Sequence, residues 1–287
     1  MPGYGAGVVF LVRVGGLVSL VQSDAPFASY LTPSISDVGG DGAVKASTKG
    51  SQLVRLSGAQ MGSRALQPVT RVRYGPYDPT NTSPLPAAGR TEGLGLEFVA
   101  VDCEVGTDQQ QIRCLTAPGA GKGHWWQVRV GNQWSPVFDA QSSYAPPSII
   151  GFEGEGARDA STRGNQVVVV QGANLGPTTG GIDRVFYKAV TVVGPDVAVG
   201  NETTGEDTEQ PAEEDLTPIE RLAVVEFEAV GCQMTIAHEE IRCVTAPGVG
   251  RTLEWTVIVR DQRNEDPVTS YHPPTVRAAT SRAGDQA

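Results

Sequence analysis

The 287-residue chain is long enough for two ordinary domains, and its 35 glycines and 20 prolines disfavour long helices. Short runs of valine and threonine between these turn residues are typical of β-sandwiches. The formal net charge of −10 argues against a nucleic-acid partner, because binding to a phosphate backbone depends on a basic surface.

An apolar run at residues 8–21 invites comparison with a signal peptide. The residues before it carry no positive charge, and Arg13 interrupts it, so the pattern of a signal peptide is incomplete. A second interpretation rests on the similarity of Val12-Arg-Val-Gly15 to Val128-Arg-Val-Gly131. On that interpretation residues 1–29 are the tail of a truncated preceding repeat, and a cleaved signal peptide remains the alternative.

One long pattern occurs twice in the chain, and it predicts two domains, 30–143 and 144–270. Both are long enough to bury a core of their own. The copies open with Tyr30-Leu-Thr-Pro-Ser-Ile35 and Tyr144-Ala-Pro-Pro-Ser-Ile149. Proline presets an extended backbone, which favours a stiff joint that leads into an edge strand.

A third copy of this opening begins at Tyr271. Residues 271–287 are therefore predicted to be the start of a following repeat, and their small polar residues favour disorder.

Each repeat predicts several strands with one buried face. Phe98 and Phe227 are expected to point inward from equivalent strands. In the last long strand of each repeat apolar and polar residues alternate, which places Trp126 and Trp255 in the two cores. The same alternation turns Trp125 outward, where an exposed aromatic side chain is a possible ligand contact.

Two pairs of cysteines mark the repeats, and ten residues separate the cysteines of each pair. The pairs are Cys103 with Cys114 and Cys232 with Cys243. Three disulfide connectivities are possible, and pairing within each repeat is favoured because each module then carries its own cross-link. Zinc is the rival use, but no Cys-x-x-Cys occurs and the chain has only three histidines. Disulfides would imply an oxidising, extracellular or luminal compartment.

Each repeat also carries a loop-like insert. The insert of the second repeat, 194–217, is strongly acidic, which indicates a solvated loop; a calcium site is the alternative, although no calcium-loop motif supports it. The glycosylation sequons at Asn81 and Asn201 fall in these inserts.

The Tyr-x-Pro-Pro opening, the Ser-Thr-x-Gly turn and strand, and Cys-x10-Cys-x-Thr-Ala-Pro together resemble the IPT/TIG domain. This immunoglobulin-like module occurs in plexin and Met-type receptor ectodomains and in the tandem arrays of fibrocystin-like cell-surface proteins, which the cysteine pattern resembles most. The resemblance implies an all-β fold of tandem early-set sandwiches with about seven strands each. It implies no catalytic residues, cofactor or metal.

The sequence therefore favours a non-catalytic structural or adhesion segment at the cell surface or in the extracellular space. Neighbouring modules of the same array are the expected partners, with cell-surface proteins, matrix proteins or glycans as further possibilities and no membrane span within 1–287. The alternative is a receptor ectodomain whose modules bind a carbohydrate or protein ligand, with Trp125 in the contact surface. A Rel-like DNA-binding domain is disfavoured by the charge and by the absence of matching basic loops.

Overall fold

The computed structural model confirms the all-β prediction. Apart from one 3-10 turn at Arg64–Leu66, the regular structure of the described residues consists of strands. No helix in these ranges is long and apolar enough to cross a membrane. Asn81, Asn201, the insert 194–217 and residues 271–287 lie outside the described residues. The described ranges are 3–20, 27–66, 69–77, 96–106, 110–179, 181–193, 221–264 and 268–269.

The N-terminal segment forms a small hairpin of its own. Its strands are β1 (Arg13–Val14) and β2 (Leu17–Val18), and they pair only with each other. Val8, before the hairpin, and Ala28, after it, form an isolated antiparallel bridge. Most apolar side chains of the hairpin are exposed to solvent, among them Leu17.

The first module is a sandwich of two antiparallel sheets. Its strands are β3 (Ser34–Gly39), β4 (Leu53–Ala59), β5 (Val69–Gly75), β6 (Phe98–Val99), β7 (Val101–Val105), β8 (Gln111–Leu115), β9 (His124–Val130), β10 (Gln133–Trp134) and β11 (Phe138–Ser142). One sheet has the order β3-β4-β8-β7. The other has the order β10-β9-β5-β6, and β11 also pairs with β9.

The second module repeats this topology. Its strands are β12 (Ser148–Glu153), β13 (Val167–Ala173), β14 (Ile182–Val193), β15 (Arg221–Glu228), β16 (Val230–Ile236), β17 (Glu240–Val244), β18 (Leu253–Val259), β19 (Gln262–Arg263) and β20 (Val268–Thr269). One sheet has the order β12-β13-β17-β16. The other has the order β15-β14-β18-β19, and β20 also pairs with β18.

The described residues of each module form nine strand segments, because two of the strands are interrupted. A single buried alanine, Ala100 or Ala229, separates two segments that belong to opposite sheets, so the chain changes sheet there. The strand after the last hairpin is also broken, into β10 and β11 or into β19 and β20. Counted as continuous strands, the described residues of each module give seven, in agreement with the about seven predicted for a tandem immunoglobulin-like sandwich.

An aromatic stack forms the centre of each core. Trp126 and Trp255 are almost completely buried. Trp126 stacks on Tyr74 with 4.2 Å between ring centroids, and Trp255 stacks on Tyr187 at 4.5 Å. Removing rings of this size from water is among the largest single contributions to the stability of a small sandwich.

The Thr-Ala-Pro motif bonds to this stack and packs against a glycine turn. The backbone N–H of Ala117 donates to the Tyr74 hydroxyl at 2.9 Å, and Ala246 donates to Tyr187 at 3.0 Å. Gly50 has a φ of +75°, and a Cβ on it would lie 2.6 Å from the Ala117 carbonyl carbon. Only glycine fits there, since both the backbone angle and the contact exclude a side chain.

Candidate functional site

Both cysteine pairs form disulfides within their own modules. Cys103 on β7 bonds Cys114 on β8, and the second pair joins β16 to β17. Cys114 and its counterpart Cys243 are buried, as expected from strands whose alternate residues face the core. Each bond cross-links neighbouring strands of one sheet, so the cysteines have a structural role.

Phe98 and Phe227 are half-buried residues at the edges of the cores. Phe227 stacks on Tyr187 with 5.4 Å between ring centroids. Phe98 contacts Tyr74 and lies edge-on to Tyr144 at 5.5 Å. Phe98 therefore links the aromatic stack of the first module to Tyr144 at the joint, and Phe227 adds a third ring to the stack of the second module.

Trp125 lies on the outer face of the five-stranded sheet, but it is half-buried. Its ring contacts Tyr77, with 5.0 Å between centroids and an interplanar angle of 53°. In the sheet Trp125 stands opposite Asp139 on β11. The outward tryptophan therefore belongs to an aromatic pair.

The two histidines that the structure describes, His124 and His238, lie in different modules and have different surroundings. His124 is buried in the first module, and burial lowers its pKa to about 4. His238 lies in the hairpin between β16 and β17, where burial and then the charge of Lys49 lower its pKa. Within the described ranges, no group of three or more His, Cys, Asp or Glu side chains could hold a metal ion.

The second module meets the first through a buried hydrogen-bonded cluster. Thr48 of the first module is fully buried, and its hydroxyl lies 2.9 Å from Nδ1 of His238. The backbone N–H of Thr48 donates to Oδ1 of Asn174 at 3.3 Å. Buried polar groups are costly unless they are paired, so these contacts select one relative position of the modules.

Two ion pairs flank this cluster at the rim of the joint. Lys49 pairs with Glu239, and this partner holds the pKa of the Glu239 carboxyl below its usual range. Arg260 lies 3.5 Å from Glu97. All four side chains are substantially exposed, so each pair contributes well below about 1 kcal/mol.

A glutamine bridges the two modules on the other side. Oε1 of Gln262 accepts a hydrogen bond from the Gly121 N–H at 3.1 Å, and its Nε2 donates to the Tyr144 carbonyl at 3.0 Å. The sequence pattern assigns Tyr144 to the second repeat, yet its side chain packs in the core of the first. Tyr144, where the chain passes from one module to the next, therefore contacts both modules.

An apolar contact completes the junction. Ala120 is 5% exposed, packs with the core cluster of the second module and lies beside Gly176. The equivalent residue of the second module, Val249, is 60% exposed. The same turn is thus covered in one module and open in the other.

Part of this junction recurs between the N-terminal segment and the first module. The Tyr144 N–H donates to the Gly121 carbonyl, and likewise the Tyr30 N–H donates to the Gly5 carbonyl, both at 2.9 Å. Nε2 of Gln133 donates to the Tyr30 carbonyl at 3.1 Å, as its equivalent Gln262 does to Tyr144. These two hydrogen bonds are common to both joints.

Sequence reasoning missed His238, Glu239 and Asn174 as junction residues. All three lie in turns that connect strands, where no periodic pattern shows which residues a neighbour will cover. One available signal was a difference between the repeats in the turn after the strand: the second repeat has Asn174 where the first has Gln60.

No protein-family model and no curated protein matches the chain. Eight chains of solved structures do match. SGBP-B from a complex xyloglucan utilization locus in Bacteroides uniformis is 12% identical, with a TM-score of 0.27 over 85% of this chain and 50% of that one. The plexin A4 full extracellular region is 12% identical, with a TM-score of 0.29 over 94% and 21%.

A third structure, described as containing xylogluco-oligosaccharide, is 14% identical, with a TM-score of 0.28 over 86% of this chain and 42% of that one. The chain therefore spans half or less of the three structures. Similarity at this level assigns neither a ligand nor an activity to the chain.

Proposed function

We propose that the chain is a non-catalytic segment of an extracellular or cell-surface protein, in which tandem IPT/TIG modules form a stiff spacer. Two disulfides favour an oxidising compartment. The motifs of the IPT/TIG resemblance also have a structural role, since Thr-Ala-Pro and the Ser-Thr-x-Gly turn contact each other in both modules. The proposal further takes residues 1–29 as the tail of a preceding, truncated module of the same kind.

The observation that carries this proposal is the repetition of the junction. A tyrosine N–H bonded to a glycine carbonyl, and a glutamine bonded to the tyrosine carbonyl, occur at both joints. Repetition of these two contacts supports a similar relative placement of successive modules. A chain of such modules extends in one direction and holds its ends at a fixed separation.

The junction also contains the kinds of contact that resist bending. Buried Thr48 and His238 bond across it, and Ala120 packs beside Gly176. A small bend would separate these polar atoms while they are still buried or open a gap beside Ala120, and each change costs free energy. A flexible linker has no such contacts.

Support for a non-catalytic role comes from the titratable groups. His124 is only 2% exposed and lies beneath aromatic rings. His238 makes a hydrogen bond between modules. Neither arrangement resembles an acid or base aimed at an open cleft.

Ala120→Arg tests the stiffness of the joint. The long charged side chain cannot remain between the modules, so we expect them to separate and reorient independently. Residual dipolar couplings of the wild-type chain should fit one alignment tensor for both modules, and those of Ala120→Arg should need two.

Val249→Arg is the matched control, because the equivalent turn of the second module is open to solvent. It should keep the single tensor of the wild-type chain. Two tensors in the wild-type chain would refute the stiff spacer, even if each module proved to be correctly folded.

A further inference from the structure

The outer face of the five-stranded sheet of the first module carries an unusual set of side chains. The register places Arg73 opposite Gln127 and Arg71 opposite Arg129, and the short strand β10 places Trp134 opposite Arg129. Successive outward residues of a strand line one face. We call this surface the arginine–aromatic face; it consists of Arg71, Arg73, Tyr77, Trp125, Gln127, Arg129 and Trp134.

Arg73 is held rigidly at the middle of this face. Its Nε and Nη2 both donate to Oε1 of Gln127, at 2.9 and 2.5 Å, and its guanidinium lies 4.4 Å from the centroid of the Trp134 ring. Gln127 is in turn fixed by a 2.7 Å hydrogen bond from Nε2 to the Ser135 carbonyl. The guanidinium is therefore ordered before any ligand arrives, which lowers the entropy lost on binding.

The charge of Arg73 is not neutralised by the protein. Arg73 is 5% exposed, and no carboxylate within the described ranges forms an ion pair with it or with Arg71. Burial, and then the charge of Arg71, lowers the pKa of Arg73. A desolvated cation without a counter-ion is destabilising, and an anion at this position would offset that cost.

One nitrogen of Arg73 remains for such an anion. Nε and Nη2 bond Gln127, and no hydrogen bond from within the described residues occupies Nη1. Arg71 carries a second guanidinium two residues away on the same strand face. Two guanidinium groups side by side match the oxygens of a sulfate or carboxylate group, to which arginine donates pairs of hydrogen bonds.

The other end of the face is aromatic. Trp125 and Tyr77 form a tilted pair there, and Asp139 stands opposite Trp125 on the neighbouring strand. Arg129 lies four positions after Trp125 on β9, a distance of about 13 Å at the rise of an extended strand. Aromatic rings bind the apolar C–H faces of sugar rings, and a carboxylate such as Asp139 accepts hydrogen bonds from hydroxyl groups.

The equivalent face of the second module lacks these properties. Phe186 replaces Arg73 and Glu254 replaces Trp125. Its cations are paired within the sheet, since Arg184 bonds Glu226 at 2.7 Å and Lys188 lies 3.4 Å from the same carboxylate. The unpaired charge is thus a feature of the first module and not of the scaffold.

We propose that the arginine–aromatic face binds an anionic oligosaccharide, with a sulfate or carboxylate group on Arg71 and Arg73 and a sugar ring on Trp125. The length of the face suits several linked sugars rather than one. Such binding goes beyond the spacer role and does not depend on it. A nucleic acid is disfavoured because its affinity depends on a broad basic surface, whereas this face places only the two neighbouring guanidinium groups of Arg71 and Arg73 against the anion.

The test measures binding of the 287-residue chain to dextran sulfate, polygalacturonate and uncharged dextran of matched length by calorimetry. We expect saturable binding to one or both anionic polymers and none to dextran. Arg71→Gln removes a charge-assisted hydrogen bond and should weaken binding about tenfold. Trp125→Ala should weaken it to a similar degree, because it removes the sugar-stacking surface.

Arg184→Gln is the matched control, since Arg184 is the aligned arginine of the second module; it should leave the affinity within about twofold. NMR spectra of the unaltered chain give a second measurement that needs no variant. Added anionic polymer should shift the side-chain N–H signals of Arg71, Arg73 and Trp125.

Three results would overturn the proposal. The first is the absence of saturable binding to either anionic polymer. The second is binding that Trp125→Ala leaves unchanged. The third is equal affinity for a single-stranded oligothymidylate of the same charge, because a surface that attracts any polyanion does not recognise a sugar.

Discussion

The two modules share one scaffold, yet equivalent positions have different surroundings in each. Ala120 is 5% exposed and its equivalent Val249 is 60% exposed. Thr48 is fully buried, whereas its equivalent Thr162 is exposed. The strands behind these turns pair in the same register, so the difference arises from the neighbouring module. Burial at these positions therefore reports contact between modules rather than the folding of one sandwich.

Another pair of equivalent positions differs within the cores. His124 occupies the position that Leu253 has in the second module, and both are about 2% exposed. His124 lies among aromatic rings, with 5.5 Å to Phe98 and 5.4 Å to Tyr144 between centroids. The scaffold thus accepts a titratable group or a hydrocarbon side chain at one site, and the two modules should respond differently to acid.

The largest expected effect tests what the modules share. Replacing both Cys103 and Cys114 by alanine should destabilise the first module by about 3 kcal/mol in the chain-entropy model, and the same change at Cys232 and Cys243 should cost the second as much. The costs should match because both bonds close loops with a sequence separation of 11. Urea unfolding followed by NMR of each module measures both, and a clearly unequal loss would contradict the equivalence.

The next effect separates the two cores by their response to pH. Burial lowers the pKa of His124 from 6.5 to about 4. As the pH falls, the unfolded chain therefore binds a proton near pH 6.5, whereas the folded chain binds it only near pH 4. The stability is full above pH 6.5 and decreases as the pH falls through this window.

Between pH 7 and pH 5 the wild-type first module should lose about 2 kcal/mol more than His124→Leu loses over the same interval. Urea unfolding at the two pH values measures the difference. The second module, with Leu253 at this site, supplies the comparison within the same sample. An equal loss in His124→Leu and wild type would show that the buried imidazole does not account for the acid response.

The sandwiches themselves could be predicted because period-two alternation reports which face of a strand is buried. Trp126 and Trp255, which it assigns to the cores, are 0% and 2% exposed. By the same rule Gln127, two residues after Trp125, belongs to the outer face, but the rule does not show that Gln127 is only 8% exposed. Arg73 covers it, and alternation gives no information on how long side chains lie across a sheet.

The junction could not be predicted for a different reason. Its residues come from turns, and a polar residue in a turn has no pattern that distinguishes a solvent contact from a contact with another module. His238 shows this well, because it aligns with Gln109 and has an acidic neighbour in the sequence. Only the positions of both modules show that its imidazole meets Thr48.

The smallest expected effect tests whether burial at the junction is a property of the assembly. Thr48→Val keeps the shape of the side chain but leaves Nδ1 of His238 without its 2.9 Å partner, which should cost about 1 kcal/mol. Thr162→Val makes the same change at the exposed equivalent and should cost nothing measurable.

Amide hydrogen exchange of the two variants gives a local measurement of this difference. Exchange should be faster in Thr48→Val at the His238 hairpin, because the N–H of His238 bonds the Gly176 carbonyl inside the joint. It should be unchanged in Thr162→Val. Faster exchange throughout the first module would mean instead that Thr48 stabilises its own sandwich, and the contrast between the two threonines would then have no bearing on how the modules join.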